Sequence, residues 1–182
     1  MIEGRAIISD IQETRNKLEA LEAVFRGNYV FRDIIFVPKK KTYNLNDDFL
    51  RVRIQIKSHW SNKKIILVRK QTEFGKVGKV NNVMLRREFD SEKEAVDFVE
   101  AELGSQFARS FEYTREGWQY NLEGSRIFVE AIAGFRPSVE IEADSEDDIR
   151  SLYAKIGILE EMHESIPEVM RRILAARISR LL

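Results

Sequence analysis

The chain has 182 residues, of which 43% are hydrophobic and 33% charged, and its 30 basic residues balance its 30 acidic ones. That size suits a single domain with a substantial core, and zero net charge supplies no general attraction to nucleic acid or to a membrane surface. Zero cysteines exclude disulfides, thiolate metal ligands and a cysteine nucleophile.

No apolar run reaches the length of a membrane span and no signal-peptide pattern is present, so a cytoplasmic location is the expectation, with no nucleic-acid and no membrane partner. A strand at Ile2–Ile8 leads through "RAIISDIQE" into a helix capped by Asp10, whose apolar positions are Leu18, Leu21, Val24 and Phe25. The hydrophobic period then changes to two, which predicts strands at Tyr29–Val37, Leu50–Lys57, Ile65–Lys70 and Val83–Phe89. Gly75 and Gly78 in "GKVGK" open a loop between the last two. This stretch lacks the spacing of a nucleotide-binding phosphate loop and reads either as a basic loop over a site or as a solvated hairpin tip.

A second helix begins near Ser91 in "RREFDSEKEAV" and carries Val96, Phe98, Val99 and Leu103 on one side. Strands follow at Phe107–Thr114, Trp118–Leu122, Arg126–Ile132 and Ser138–Ala143, with Gly117, Gly124 and Gly134–Pro137 as turns. A third helix begins near Ser145 in "VEIEADSEDDI", and the Glu-x-Asp-Ser-Glu string that it shares with the second hints at an internal repeat. The last helix, at about 165–182, has Ser165 as cap and Pro167 in its first turn. Its stripe of Ile166, Val169, Met170, Ile173, Leu174, Ile178 and Leu181 packs on the body or forms a homodimer contact. Many strands with inserted helices predict an α+β domain over residues 1–182 whose antiparallel sheet can close into a barrel.

Charge is segregated along these strands. In "LRVRIQIK" the polar face holds Arg51, Arg53, Gln55 and Lys57, and no acidic residue occurs from Phe49 to Thr72. "SVEIEAD" puts Glu140 and Glu142 on one face with Val139 and Ile141 on the other, and no basic residue occurs from Val139 to Asp148. Taken alone, the two glutamates read as the wet face of a strand. In a closed sheet the polar faces turn inward and make a lumen with a cationic and an acidic wall, and buried charges need partners. Arginine and lysine suit phosphate oxygens, and carboxylates suit a hard divalent ion, so a metal-bound polyphosphate fits between the walls. His59 and His163 have no metal-pair or triad spacing and read as surface residues, whereas Trp60 and Trp118 read as packing aromatics.

"DIIF", "FLRVRI", "ILVRK", "RREFD" and "VEAIAGFRPSVEIEA" in this order resemble the CYTH superfamily of triphosphate tunnel metalloenzymes. The likeness runs over roughly residues 2–158 and leaves the last helix outside. That group includes class IV adenylate cyclases, thiamine triphosphatases and inorganic tripolyphosphatases. The first Glu of its Glu-x-Glu-x-Lys signature falls on Met1, and Arg5 stands at its Lys.

The resemblance implies an eight-stranded antiparallel β-barrel with surrounding helices, a tunnel for a triphosphate-containing small molecule, and Mg2+ or Mn2+ as cofactor. It implies Glu3, Glu130, Glu140 and Glu142 for metal, with Glu3, Arg5 and Glu88 as the catalytic group. Arg5, Arg51, Arg53, Lys70, Arg86 and Arg115 would hold the phosphates, with Arg109 as the rival to Arg115. The expected function is a metal-dependent phosphohydrolase acting on an organic or inorganic triphosphate. The alternatives are a cyclase that converts ATP to cyclic AMP, and a module that binds polyphosphate or nucleotide without turnover.

Overall fold

A computed structural model of the chain describes residues 1–58, 63–158 and 160–179, with no account of the Ile178 side chain. The expectations for His59, Trp60 and Leu181 fall outside the described residues. Strand β1 (Ile2–Ile7) leads to helix α1 (Ile11–Ala20), then come β2 (Val24–Pro38), β3 (Asp48–Lys57), β4 (Lys64–Phe74), β5 (Lys79–Phe89) and α2 (Glu92–Phe98). A π-helical turn (Val99–Leu103) continues α2 into β6 (Phe107–Leu122), β7 (Ser125–Ile132), β8 (Ser138–Ala143), α3 (Glu146–Ile156), a two-residue β9 (Glu160–Glu161) and α4 (Ile166–Ile178).

The predicted caps start these helices: Asp10, Ser91, Ser145 and Ser165 each accept a hydrogen bond from the amide three residues on. Among the described residues, eight strands in the order β5-β4-β3-β2-β6-β7-β8-β1 form an antiparallel sheet that closes through a β1–β5 pairing at Glu3 and Lys79. β9 pairs with β1 at Ala6 and Ile7, on the edge away from β8.

Closure gives every strand an inner and an outer face, and alternation sorts the residues between them. The outer residues Ala6, Ile127, Val129, Val139 and Ile141 pack with Leu18 of α1 and with Ile149, Leu152 and Ile156 of α3. On the other side, Ile34, Leu50, Val52, Ile65 and Leu67 pack under Ala95 and Val99. A third apolar cluster joins Ile35, Phe49, Tyr113 and Ile132 to Ile166 and Met170 of α4, so the last helix packs on the barrel body.

Two expectations are corrected. Val24 and Phe25 do not continue the first helix: α1 ends at Ala20, Glu22 takes a positive φ of 58°, and both residues open β2. Gly117 is not a turn: Phe107–Thr114 and Trp118–Leu122 belong to one sixteen-residue strand, β6, that pairs along β2. A Cβ on Gly117 would lie 2.5 Å from Tyr29 Cζ and 2.9 Å from the Val129 carbonyl oxygen, so glycine is required there by the Tyr29 ring crossing from β2. The turn lies at Glu123–Gly124, where both residues have positive φ (50° and 80°), the geometry of a tight two-residue hairpin.

"GKVGK" is the hairpin connection between β4 and β5: Gly75 and Lys76 are exposed at its tip, and Lys79 reaches Glu3 of β1 at 2.8 Å. Val77 is buried among the α3-side cluster, and Glu146 at the start of α3 accepts the Lys76 amide at 3.2 Å. Trp118 packs beside that cluster with the Arg15 guanidinium 5.0 Å from its ring, and His163 is exposed.

Gly117→Ala should destabilise the barrel by roughly 1–3 kcal/mol through overpacking against Tyr29. The urea midpoint measures it, and an unchanged midpoint would mean that the ring yields without strain.

Candidate functional site

The inward faces of β1, β3, β4, β6 and β8 converge on a cavity of about 90 Å3 lined by Glu3, Arg5, Arg51, Arg53, Lys70 and Arg115, and also by Glu140 and Glu142. Each residue is placed by register. Glu3 pairs with Glu142 and Arg5 with Glu140 across β1 and β8. Asp33 pairs with Arg53 across β2 and β3, and Phe31 with Arg115 across β2 and β6. Phe31 forms a floor: it stacks on Tyr29 at 4.2 Å, and the Arg53 and Arg115 guanidinium carbons sit 4.7 and 5.5 Å from its ring centre.

Two buried carboxylates organise the cations. Asp33 accepts two hydrogen bonds from Arg53, both at 2.6 Å, and lies 3.7 Å from Arg51 and 3.9 Å from Arg115. Burial alone would raise the Asp33 pKa, but Arg53, Arg51 and Arg115 outweigh it and hold the carboxyl well below the usual range. Glu130 accepts from Arg5 at 2.6 Å, from Arg115 at 3.1 Å and from the Tyr29 hydroxyl at 2.5 Å. These partners likewise overcome burial and lower it to about 2. Glu130, expected among the metal ligands, thus accepts from three protein donors.

The remaining acids form a tighter group. Carboxylate oxygens of Glu3, Glu140 and Glu142 lie within 4.8 Å of one another. Three oxygen ligands at that spacing need only a small closure to reach the roughly 2.1 Å that magnesium prefers, so the donor set fits a hard divalent ion.

Each of the three also has a protein cation. Glu3 meets Lys79 at 2.8 Å and accepts from Asn81 at 2.7 Å, Glu140 meets Arg5, and Glu142 meets Arg126 at 2.5 Å. Burial, countered by Lys79, Lys70 and Arg5, leaves Glu3 well below its ordinary value. Burial and the neighbouring Glu140 instead push Glu142 up to about 7.

The opposite wall is short of negative charge. Among the described residues, no carboxylate lies within 4.0 Å of the Lys70 ammonium. Burial, then Arg51, lowers Lys70 to about 8, and burial, then Arg53, lowers Arg51 to about 10.

The structure brings together Glu3, Arg5, Arg51, Arg53, Lys70, Arg115, Glu140 and Glu142, with Glu130 immediately behind them. It does not bring in Arg86 and Glu88, whose side chains are more than half exposed and which pair with each other at 3.5 Å. Arg109 is exposed and pairs with Glu112, so Arg115 takes the inner position. Met1 is exposed beside Arg126. Reasoning from sequence missed Asp33, Lys79, Asn81, Tyr29 and Tyr113. Asp33 carried a signal, as a lone acid inside the apolar run "VFRDIIFV".

No family model matches the sequence, and no curated protein does. Solved structures do match. The PH1819 protein of Pyrococcus horikoshii OT3 is 15% identical, with a TM-score of 0.79 over 94% of this chain and 98% of that one. The chain shares the fold of these structures, a closed antiparallel eight-stranded β-barrel with helices around it. HpAC1 from Hippeastrum, described as a candidate adenylyl cyclase with a dominant triphosphatase activity, is 16% identical (TM-score 0.70, 94% and 95% covered). A candidate adenylate cyclase from Vibrio parahaemolyticus is 12% identical (TM-score 0.66, 93% and 97% covered). Each of these three matches covers more than 90% of this chain. No helix among the described residues is long and apolar enough to cross a membrane.

Glu130 makes acid stability a test of the buried network. Its folded pKa of about 2 lies below that of a free glutamate, so its stabilising contribution is complete above roughly pH 4.3 and is lost as pH falls toward 2. Glu130→Gln should cost about 3 kcal/mol or more at pH 7 and flatten the pH dependence in that acid window, with Asp33 supplying the slope that remains. Urea titrations across pH check this; parallel curves for the two proteins would remove Glu130 from the network.

Proposed function

We propose that the protein is a member of the CYTH superfamily and a metal-dependent phosphohydrolase that acts on an organic or inorganic triphosphate in the barrel cavity. The observation that carries the reading is the pairing of Arg51 and Lys70, buried cations whose pKa values burial and each other's neighbours lower, with a triad of carboxylates in the same cavity. Buried cations with lowered pKa values are stabilised by an added anion, and the triad gives a divalent ion a place beside that anion.

Arg51 and Lys70 are the cations with most bonding capacity left, and they would take the phosphate oxygens first. Arg53 commits two of its donors to Asp33, and Arg115 is divided between Glu130 and Asp33, so these two act from fixed positions. Glu3, Glu140 and Glu142 would hold Mg2+ or Mn2+. Such an ion supplies Lewis-acid polarisation of a phosphoryl oxygen and neutralises charge that develops in the transition state. Arg5 stays ionised at every accessible pH and is engaged by Glu130 and Glu140, so it orients the acidic wall and does not serve as a base.

Hydrolysis is favoured over cyclisation because none of the aromatic residues lining the cavity, Phe49 and Tyr113, offers a nucleotide base a stacking site outside the apolar cluster under α4. The dominant triphosphatase activity described for HpAC1 supports the same choice.

The deciding experiment measures phosphate release and cyclic AMP formation from ATP, thiamine triphosphate and tripolyphosphate with magnesium or manganese. Phosphate release without cyclic AMP is expected, and Glu140→Ala should lower it on the order of a hundredfold or more. Tight binding with no turnover of any of the three would replace the hydrolase with a binding module.

A further inference from the structure

Among the described residues, five buried side-chain atoms have no hydrogen-bond partner: Glu142 Oε2, which lies 2.5 Å from the Arg126 guanidinium, and four donors, Nε of Arg5, Nε of Arg51, Nε of Arg115 and the hydroxyl of Tyr113. All four donor residues line the cavity. Buried polar atoms are nearly always partnered, so a cluster of orphans on one cavity marks what that cavity lacks. The three arginine nitrogens can only donate, and so the missing partner is an acceptor.

Tyr113 is the informative member, because its hydroxyl makes no hydrogen bond within the protein and can be removed without altering the ring. It lies on β6 opposite Asp33, 6% exposed, with its ring in the apolar cluster made by Ile35, Phe49, Ile132, Ile166 and Met170. Phenylalanine would fill the same space in that cluster without a polar atom to satisfy.

Tyr29 gives the contrast: its hydroxyl is equally enclosed but donates to Glu130 at 2.5 Å. The buried Tyr113 hydroxyl lowers folding stability unless something in the cavity accepts its proton. Burial, with Asp33 adding, raises its pKa above the ordinary value, so it remains an O–H donor at neutral pH.

We propose that Tyr113 is a ligand-contact residue whose hydroxyl donates a hydrogen bond to a phosphoryl oxygen seated beside Arg51 at the α4 end of the cavity. This rests on the reading of the cavity as a triphosphate site and adds to it a neutral donor. Ser165, Ile166 and Pro167 of the α4 start line the same cavity, and Tyr113 stands where the apolar cluster under α4 meets the basic wall. A phosphoryl group held there meets charged donors on one side and hydrocarbon on the other. The phenol is then the donor that it meets at the boundary.

The test compares wild type with Tyr113→Phe by calorimetric titration of sodium tripolyphosphate, with EDTA and again with magnesium, alongside thermal unfolding of the ligand-free proteins. The variant should bind tripolyphosphate about tenfold or more weakly in both titrations, while its ligand-free melting temperature equals or exceeds that of wild type. A purely structural tyrosine would lower stability and leave affinity unchanged. Equal affinity in the two proteins would overturn the assignment of Tyr113 and leave the triphosphate site standing. Absence of tripolyphosphate binding by wild type in either titration would overturn both. An affinity loss accompanied by a lower melting temperature would also count against Tyr113, because it would trace the loss to folding.

Discussion

Asp33 and Glu130 are carboxylates with almost no exposed surface, and between them they face Arg5, Arg51, Arg53 and Arg115 from three different strands. A barrel whose outer residues are covered by α1, α2 and α3 has to turn its other face inward, and here that face is mostly ionic. Without the two acids the arginines would stand together in a space of low polarisability, at a cost no packing nearby offsets. With them, each guanidinium is held by a carboxylate of another strand, and β1, β3 and β6 are tied to β2 and β7 across the interior. The same contacts fix where the remaining donors point, so the arrangement that holds the barrel together is also the one that shapes the cavity.

Much of this was legible in the sequence because alternation in a closed sheet is strict. "LRVRIQIK" and "SVEIEAD" each carry an outer apolar row and an inner charged row, and β3 and β8 use them as read. Contacts distant in sequence were not legible. Gly117 looks like a turn because the ring that demands glycine, Tyr29, comes from another strand. Asp33 looks like an isolated acid because its partner Arg53 is reached only through the β2–β3 register.

Arg86 and Glu88 alternate as inner residues should, opposite Val68 and Ile66. β5 meets β1 only at Lys79, however, and its second half lies outside the closed part of the ring, with both side chains exposed. Lys79 and Asn81, which take their place near the acids, precede the stretch in which period-two patterning is clear.

The charges of the cavity are paired, yet unevenly. Glu3, Glu140 and Glu142 each hold a lysine or arginine of the protein, so a divalent ion arriving alone would have to displace Lys79, Arg5 or Arg126 and leave that cation behind without its acid. An anion arriving alone gains Lys70 and Arg51 at once, since neither is engaged closely by a carboxylate. Once such an anion is present, it offers the displaced cations new oxygens, and the obstacle to the divalent ion falls. On the proposed function, polyphosphate and metal would therefore support each other's binding through an exchange of partners within one small space, and the direction of that exchange follows from which cations are left under-compensated.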